Sequence, residues 1–164
     1  MATAYRIAPA SPEWDECDLA GKGAEFSGGR WNNAGIPMVY CSSSIALAVL
    51  ETIVHPGAGA FPMNRCVIRI RIPDDQFAKR RVIGAAGLPE AWNARPPSFK
   101  SMDFGSQWIK GMGEVVMEVP SVIVPMESNF LLNPLHPGME KVKARNAGQF
   151  VYDPRIVPIG QTDR

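Results

Sequence analysis

Histidine is nearly absent from this sequence. Only His55 and His136 occur, far apart, and no HExxH pairing is present. A metal centre is therefore not expected, although a carboxylate-only magnesium site stays open. Cysteine is almost as rare. Cys17, Cys41 and Cys66 are odd in number and show no CxxC spacing. They offer neither a disulfide frame nor a zinc site, and point to reduced thiols in a cytoplasmic protein. Charge of one sign is missing too: 17 Lys and Arg stand against 16 Asp and Glu, a formal net charge of +1. No overall field directs the chain to DNA, RNA or an acidic membrane. No apolar run is long enough to cross a bilayer, and the N-terminus lacks the basic-then-apolar pattern of a signal peptide. Neither direct nucleic-acid binding nor membrane association is expected.

Common nucleotide and hydrolase signatures are missing as well. GKGAEF at Gly21 starts like a dinucleotide fingerprint, but Phe26 stands where the third glycine belongs. It also lacks the GK[ST] of a phosphate loop. No GxSxG surrounds Ser121, so a hydrolase nucleophile is not expected there.

What the chain has is 164 residues, 46% of them hydrophobic, enough for one domain with one sizeable core. We expect a single domain over 1–164 with its core at about 4–159. The 15 Gly and 15 Pro are spread along the chain and read as many turns. Residues 4–7, 36–41 and 66–72 read as strands, the last alternating Cys66, Ile68, Ile70 and Ile72 against Val67, Arg69 and Arg71. Ser42, Ser43 and Ser44 are alternative N-caps for a helix that is apolar nearly all round and ends at His55-Pro56-Gly57. A helical turn near Trp14 and a short helix over 106–110 are further expectations. Residues 88–105 read as a loop, a mobile lid or a partner surface. One or two strands over 114–125 break at Pro120-Ser121. Residues 129–137 read as a loop with apolar anchors, and 150–159 as a last strand or pair. Strands dominate without regular alternation with helices. That order predicts an α+β fold with a mainly antiparallel sheet.

One stretch concentrates chemistry: GGRWNNAGIPMVYCSSSIALAVLE, from Gly28 to Glu51. Arg30, beside two glycines and Asn32, can fork onto phosphate or ribose oxygens; a structural ion pair is the plainer alternative. Tyr40 is a core strand tyrosine or a ring that stacks on a cationic nicotinamide, an interaction of about 0.5–2 kcal/mol. Glu51 is the only charge on its helix, and a carboxylate there needs a partner such as Arg6 or Arg30, or a use. The use follows from charge: cleaving nicotinamide from ribose builds positive charge on the sugar, which a fixed carboxylate stabilises. Together these residues predict a pocket for a phosphorylated, aromatic, positively charged ligand, and NAD+ fits. Arg6 and Asn32 are the expected substrate-binding residues beside it.

Several stretches carry a family resemblance. YRI at Tyr5, GGRWNNAGIP at Gly28, VYCSSSIALAVLE at Val39, VH at Val54, GSQW at Gly105, VPSVIVP at Val119, NFLLNPLHP at Asn129 and the closing FVYDPRI resemble the RES domain, in order and over nearly the whole chain. That family is named for an arginine, a glutamate and a serine, which map onto Arg30, Glu51 and Ser121. Ser128 is the alternative for the serine. Residues 74–102 match no motif of the family.

The resemblance implies an ADP-ribosyltransferase-like fold, a compact α+β body with a split sheet around an NAD+ cleft. It implies the toxin of a bacterial type II toxin–antitoxin pair that consumes NAD+ as substrate, with no cofactor, by hydrolysis or phosphorolysis. Some members instead transfer ADP-ribose to a protein. The implied partner is a Xre-type helix-turn-helix antitoxin covering the cleft, in dimers or larger complexes. The sequence leaves the acceptor open among water, phosphate and a side chain. A binding module without turnover is the non-enzyme alternative, in which Glu51 is only an ion-pair partner.

Overall fold

The computed structural model describes residues 1–13, 15–54 and 63–156. Seven strands form one sheet in the order β4-β5-β6-β2-β1-β3-β7. They are β1 (Ala2–Pro9), β2 (Val39–Ser42), β3 (Arg65–Ile72), β4 (Arg81–Val82), β5 (Val116–Pro120), β6 (Ser128–Leu132) and β7 (Lys143–Phe150). Four helices accompany them: α1 (Lys22–Ser27), α2 (Ile45–Ile53), α3 (Asp74–Ala78) and α4 (Phe99–Gly111). Only the short edge pair β4–β5 is parallel; every other pair is antiparallel. The α+β expectation stands.

The sheet is split in the middle. β1 and β3 pair along their whole length, but β1 meets β2 only through Tyr5 opposite Ser42. Two halves, β4-β5-β6-β2 and β1-β3-β7, thus share a narrow seam. Side chains of antiparallel Cα partners share a face. One face carries Ala4, Cys41, Ile68, Ile70, Phe130 and Leu132 into the larger core. The other carries Tyr40, Leu131 and Met117, against which Trp31, Met38, Trp108 and Ile109 form a second core. Helix α2 packs on β1 and β2 beside the seam.

Several expected elements differ. The loop expected at 129–137 begins as β6, because Phe130, Leu131 and Leu132 are all buried in a strand covered on both faces. In the stretch 150–159, expected as the last strand, no strand follows Phe150 among the described residues. The last strand described is β7, whose polar KARNAGQF suits a sheet edge with one side in water. Residues 157–159 of that expectation, with Trp14 and the expected helix stop at His55-Pro56-Gly57, lie outside the described residues. The last seven residues of the expected loop at 88–105 are helical, since α4 begins at Phe99 with the Ser98 side chain capping Ser101 N–H. Its first part is anchored and not a free lid: Leu88 and Trp92 pack into the second core, and Trp92 stacks on Trp31. Helix α2 is not buried all round. Leu47, Ala48 and Val49 are buried, whereas Ile45, Leu50 and Val54 face solvent.

Candidate functional site

The loop carrying Arg30 is built around a buried amide. Asn32 is fully buried, and its Nδ2 donates to the carbonyls of Ala24, Ile36 and Asn33. Its Oδ1 accepts from the Tyr40 hydroxyl at 2.6 Å, and that hydroxyl in turn accepts from Trp31 N–H. Asn32 therefore brackets the loop and has no surface left for a ligand, which corrects its expected substrate-binding role. The glycines serve the same bracket. Gly28 has φ of 69°, and a Cβ on Gly29 would lie 2.6 Å from the Tyr40 hydroxyl. What approaches the backbone closely here is a tyrosine, not a ligand.

Tyr40 is in place beside Arg30, but its hydroxyl is engaged on both sides. Burial pushes that hydroxyl above its ordinary range, so it stays a neutral donor. Arg30 is half-buried. Its Nη1 donates to the carbonyls of Trp92 and Ala94, each at 2.8 Å. One arm of the fork thus pins the 88–98 segment, leaving Nε and Nη2 for a ligand. Burial depresses the guanidinium's pKa; the nearby Glu51 charge works against that, and Arg95 adds to it.

Glu51 sits on the second turn of α2, whose N-terminus Ser44 caps through Leu47 N–H. Its Oε1 accepts from the Ser121 hydroxyl at 3.0 Å and from Asn129 Nδ2. Asn129 Oδ1 in turn accepts from Ser42 Oγ at 2.7 Å, across the β2–β6 ladder. Ser121 is fully buried where β5 ends, and its Oγ accepts from the N–H groups of Ile123 and Val124. Among the described residues Glu51 forms no ion pair with Arg6 or Arg30. Its carboxylate is held by neutral donors that fix its position, with the Arg30 guanidinium near enough to feel its charge but not paired with it.

The structure separates the two serines. Ser121 meets Glu51, whereas Ser128 donates to Glu118, which is paired with Arg80. Arg6 does not join the site. In β1 it shares the face of Ile68, opposite to Tyr5, and donates to the carbonyls of Glu16 and Asp18. The period-2 rule places it on the far face, a consequence that depends on knowing which face Glu51 serves. Asn129 and Ser42 were missed. A lone asparagine leading an apolar run, and a serine closing a strand, were the available signals. Among the described residues no cluster of His, Cys, Asp and Glu could hold a metal ion, and no helix is long and apolar enough to cross a membrane.

The chemistry of this constellation is specific. A fixed carboxylate, a half-free guanidinium and a tyrosine surround one end of the seam, suited to an anionic ligand that develops positive charge. Comparison with known proteins gives the family. The RES domain model matches residues 3–153. A Sphingobium sp. protein named Prs ADP-ribosylating toxin is 44% identical over 96% of this chain and 98% of its own. A Photorhabdus laumondii protein named Toxin Res is 37% identical over 87% and 90%. The toxin–antitoxin complex MbcT–MbcA of M. tuberculosis contains a chain that superposes with a TM-score of 0.63 at 18% identity, covering 91% of this chain and 84% of that one. That likeness concerns the fold. With the motif order, the site and the full-length match all in agreement, the chain belongs to the RES domain family.

Proposed function

We propose that this chain is the toxin of a toxin–antitoxin pair and that it cleaves the nicotinamide–ribose bond of NAD+. The observation that carries the reading is the Glu51 carboxylate, fixed by Ser121 and Asn129 without a direct ion pair. Nicotinamide departure leaves an oxocarbenium-like ribose. A preorganised negative charge beside it lowers the barrier without first having to reorient. The free arm of Arg30 takes phosphate or ribose oxygens, and the ring of Tyr40 takes the nicotinamide. Ser121 acts through Glu51, holding one oxygen so that the other can face the sugar.

The acceptor is the finer question. Release to water or phosphate would degrade NAD+. Transfer to a protein side chain is favoured by the Sphingobium relative, whose name states ADP-ribosylation. An antitoxin covering the cleft is the proposed partner, in keeping with the toxin–antitoxin complex that shares the fold. Purified protein incubated with NAD+, with and without phosphate and with a bacterial lysate, tests all of this. Free nicotinamide is the expected product. ADP-ribose, its phosphate adduct or a labelled protein band then identifies the acceptor. NAD+ left intact under all three conditions would overturn the proposal.

A further inference from the structure

A net charge of +1 conceals a segregated one. Strands β1, β3 and β7 carry six arginines and lysines and no aspartate or glutamate. Register places four of these cations together. Arg69 is opposite Arg145, and Arg71 is opposite Lys143. All four therefore share one face, with Tyr5 and Thr3 beside them on β1. Neighbours along a strand on this face lie about 6.7 Å apart, and neighbours across the ladder about 4.8 Å apart.

This face has no built-in counter-charge. Arg71, Lys143 and Arg145 are exposed. None of the four forms an ion pair with an acid among the described residues. Lys143 donates only to the Glu140 carbonyl. Arg69 is half-buried, and its Nε is fully buried without a hydrogen-bond partner. Cationic edge strands also discourage edge-to-edge association. That role needs charge on the edge strand β7; it does not account for two arginines on the interior strand β3, one with an orphaned donor.

We propose that this face binds the sugar–phosphate backbone of duplex DNA. Three of the four cations are arginines, whose forks match phosphate oxygens. The patch is rigid, because it lies on a fully paired ladder. Among the described residues no exposed large apolar side chain lies within β1, β3 or β7; the exposed Met1 and Val151 only flank the ends of β1 and β7. Tyr5 is the single aromatic ring set among these four cations, short of the clustered anchors of a protein hot spot and of the successive rings of a single-strand platform. A regular polyanion needs neither. The proposal is independent of any reaction at Glu51.

Fluorescence anisotropy of a short labelled DNA duplex, titrated with the full chain over a range of salt, tests it. Four phosphate contacts predict a log–log salt slope of about −3.6, or about 10²-fold weaker binding between 50 and 200 mM salt. In R71Q/R145Q the slope should fall by about two, with the melting temperature unchanged, and R71K/R145K should keep the parental slope. K143Q alone should lower it by about one. No binding of the duplex at low salt would overturn the inference. So would an unchanged slope in R71Q/R145Q, or equal affinity for single-stranded DNA or poly-glutamate.

Discussion

The Ser121 hydroxyl donates to Glu51 Oε1 across 3.0 Å while its own oxygen accepts from two backbone N–H groups. A turn at the end of β5, entered at the buried Ser121, therefore sets the position of a carboxylate 70 residues away. Glu51 and Ser121 form one unit, with Asn129 as its third member.

That unit predicts a contrast between two serines. Ser121→Ala leaves two part-buried N–H groups without their acceptor and takes one of two donors from Glu51, so stability should fall by about 1–3 kcal/mol. Nicotinamide release should fall well beyond what the loss of folded protein explains. Ser128→Ala removes only a bond to Glu118 and should leave turnover near the parental value. The two variants, melted and assayed side by side, decide which serine belongs to the site.

Arg30 has two roles that can be separated. Arg30→Ala should weaken NAD+ binding by removing charge-assisted bonds worth roughly 1.5–3 kcal/mol each. It should also release the 88–98 segment, whose carbonyls at Trp92 and Ala94 lose their donor. Arg30→Lys should restore part of the charge and little of the anchoring. Hydrogen exchange reads the segment and calorimetry reads the ligand. Parental affinity in the alanine variant would remove Arg30 from the binding site.

Asn32 yields a purely structural prediction. Asn32→Ala strips partners from Tyr40 and from the Ala24 and Ile36 carbonyls, all near a fully buried position. The cost should be about 2–4 kcal/mol, above the single-bond range because several groups are orphaned together. A lower melting temperature with unchanged NAD+ affinity in the folded fraction is expected.

The chain was legible in parts, for physical reasons. Alternation exposed β3, and the serine cluster exposed the start of α2, because burial on one face and capping both act locally. Tyr40 and Glu51 stood out as polar groups in apolar runs. Asn129, Ser42 and the carbonyls at 92 and 94 did not, because their roles arise only where β6, β2 and the 88–98 segment meet. β6 itself was misread because a strand buried on both faces has no period-2 signal. Arg6 was misassigned because sequence gives alternation but not which face holds the site.

Alkaline pH should destabilise the fold in a predictable window. Burial pushes the Cys41 thiol up to about 12 from an ordinary value near 9. The Tyr40 hydroxyl is pushed above its ordinary value of 10. Both stay protonated in the folded chain while the unfolded chain ionises. Their contribution is fully present below about pH 9 and is lost as pH rises from there toward the folded values. Each fully divergent group contributes a slope of about 1.4 kcal/mol per pH unit. Thermal melts from neutral to strongly alkaline pH should be flat and then fall. Cys41→Ala should fall less steeply just above pH 9, where Cys41 is the first of the two to diverge.

The central claim rests on the charge of Glu51. Glu51→Gln keeps the Oε1 that Ser121 and Asn129 hold and removes only the negative charge. The measurement is a nicotinamide-release assay beside a thermal melt on the same purified variant. We predict turnover lower by about 10²–10⁴-fold, NAD+ affinity changed far less, and a melting temperature held or raised. A folded Glu51→Gln protein that releases nicotinamide at near the parental rate would contradict the account.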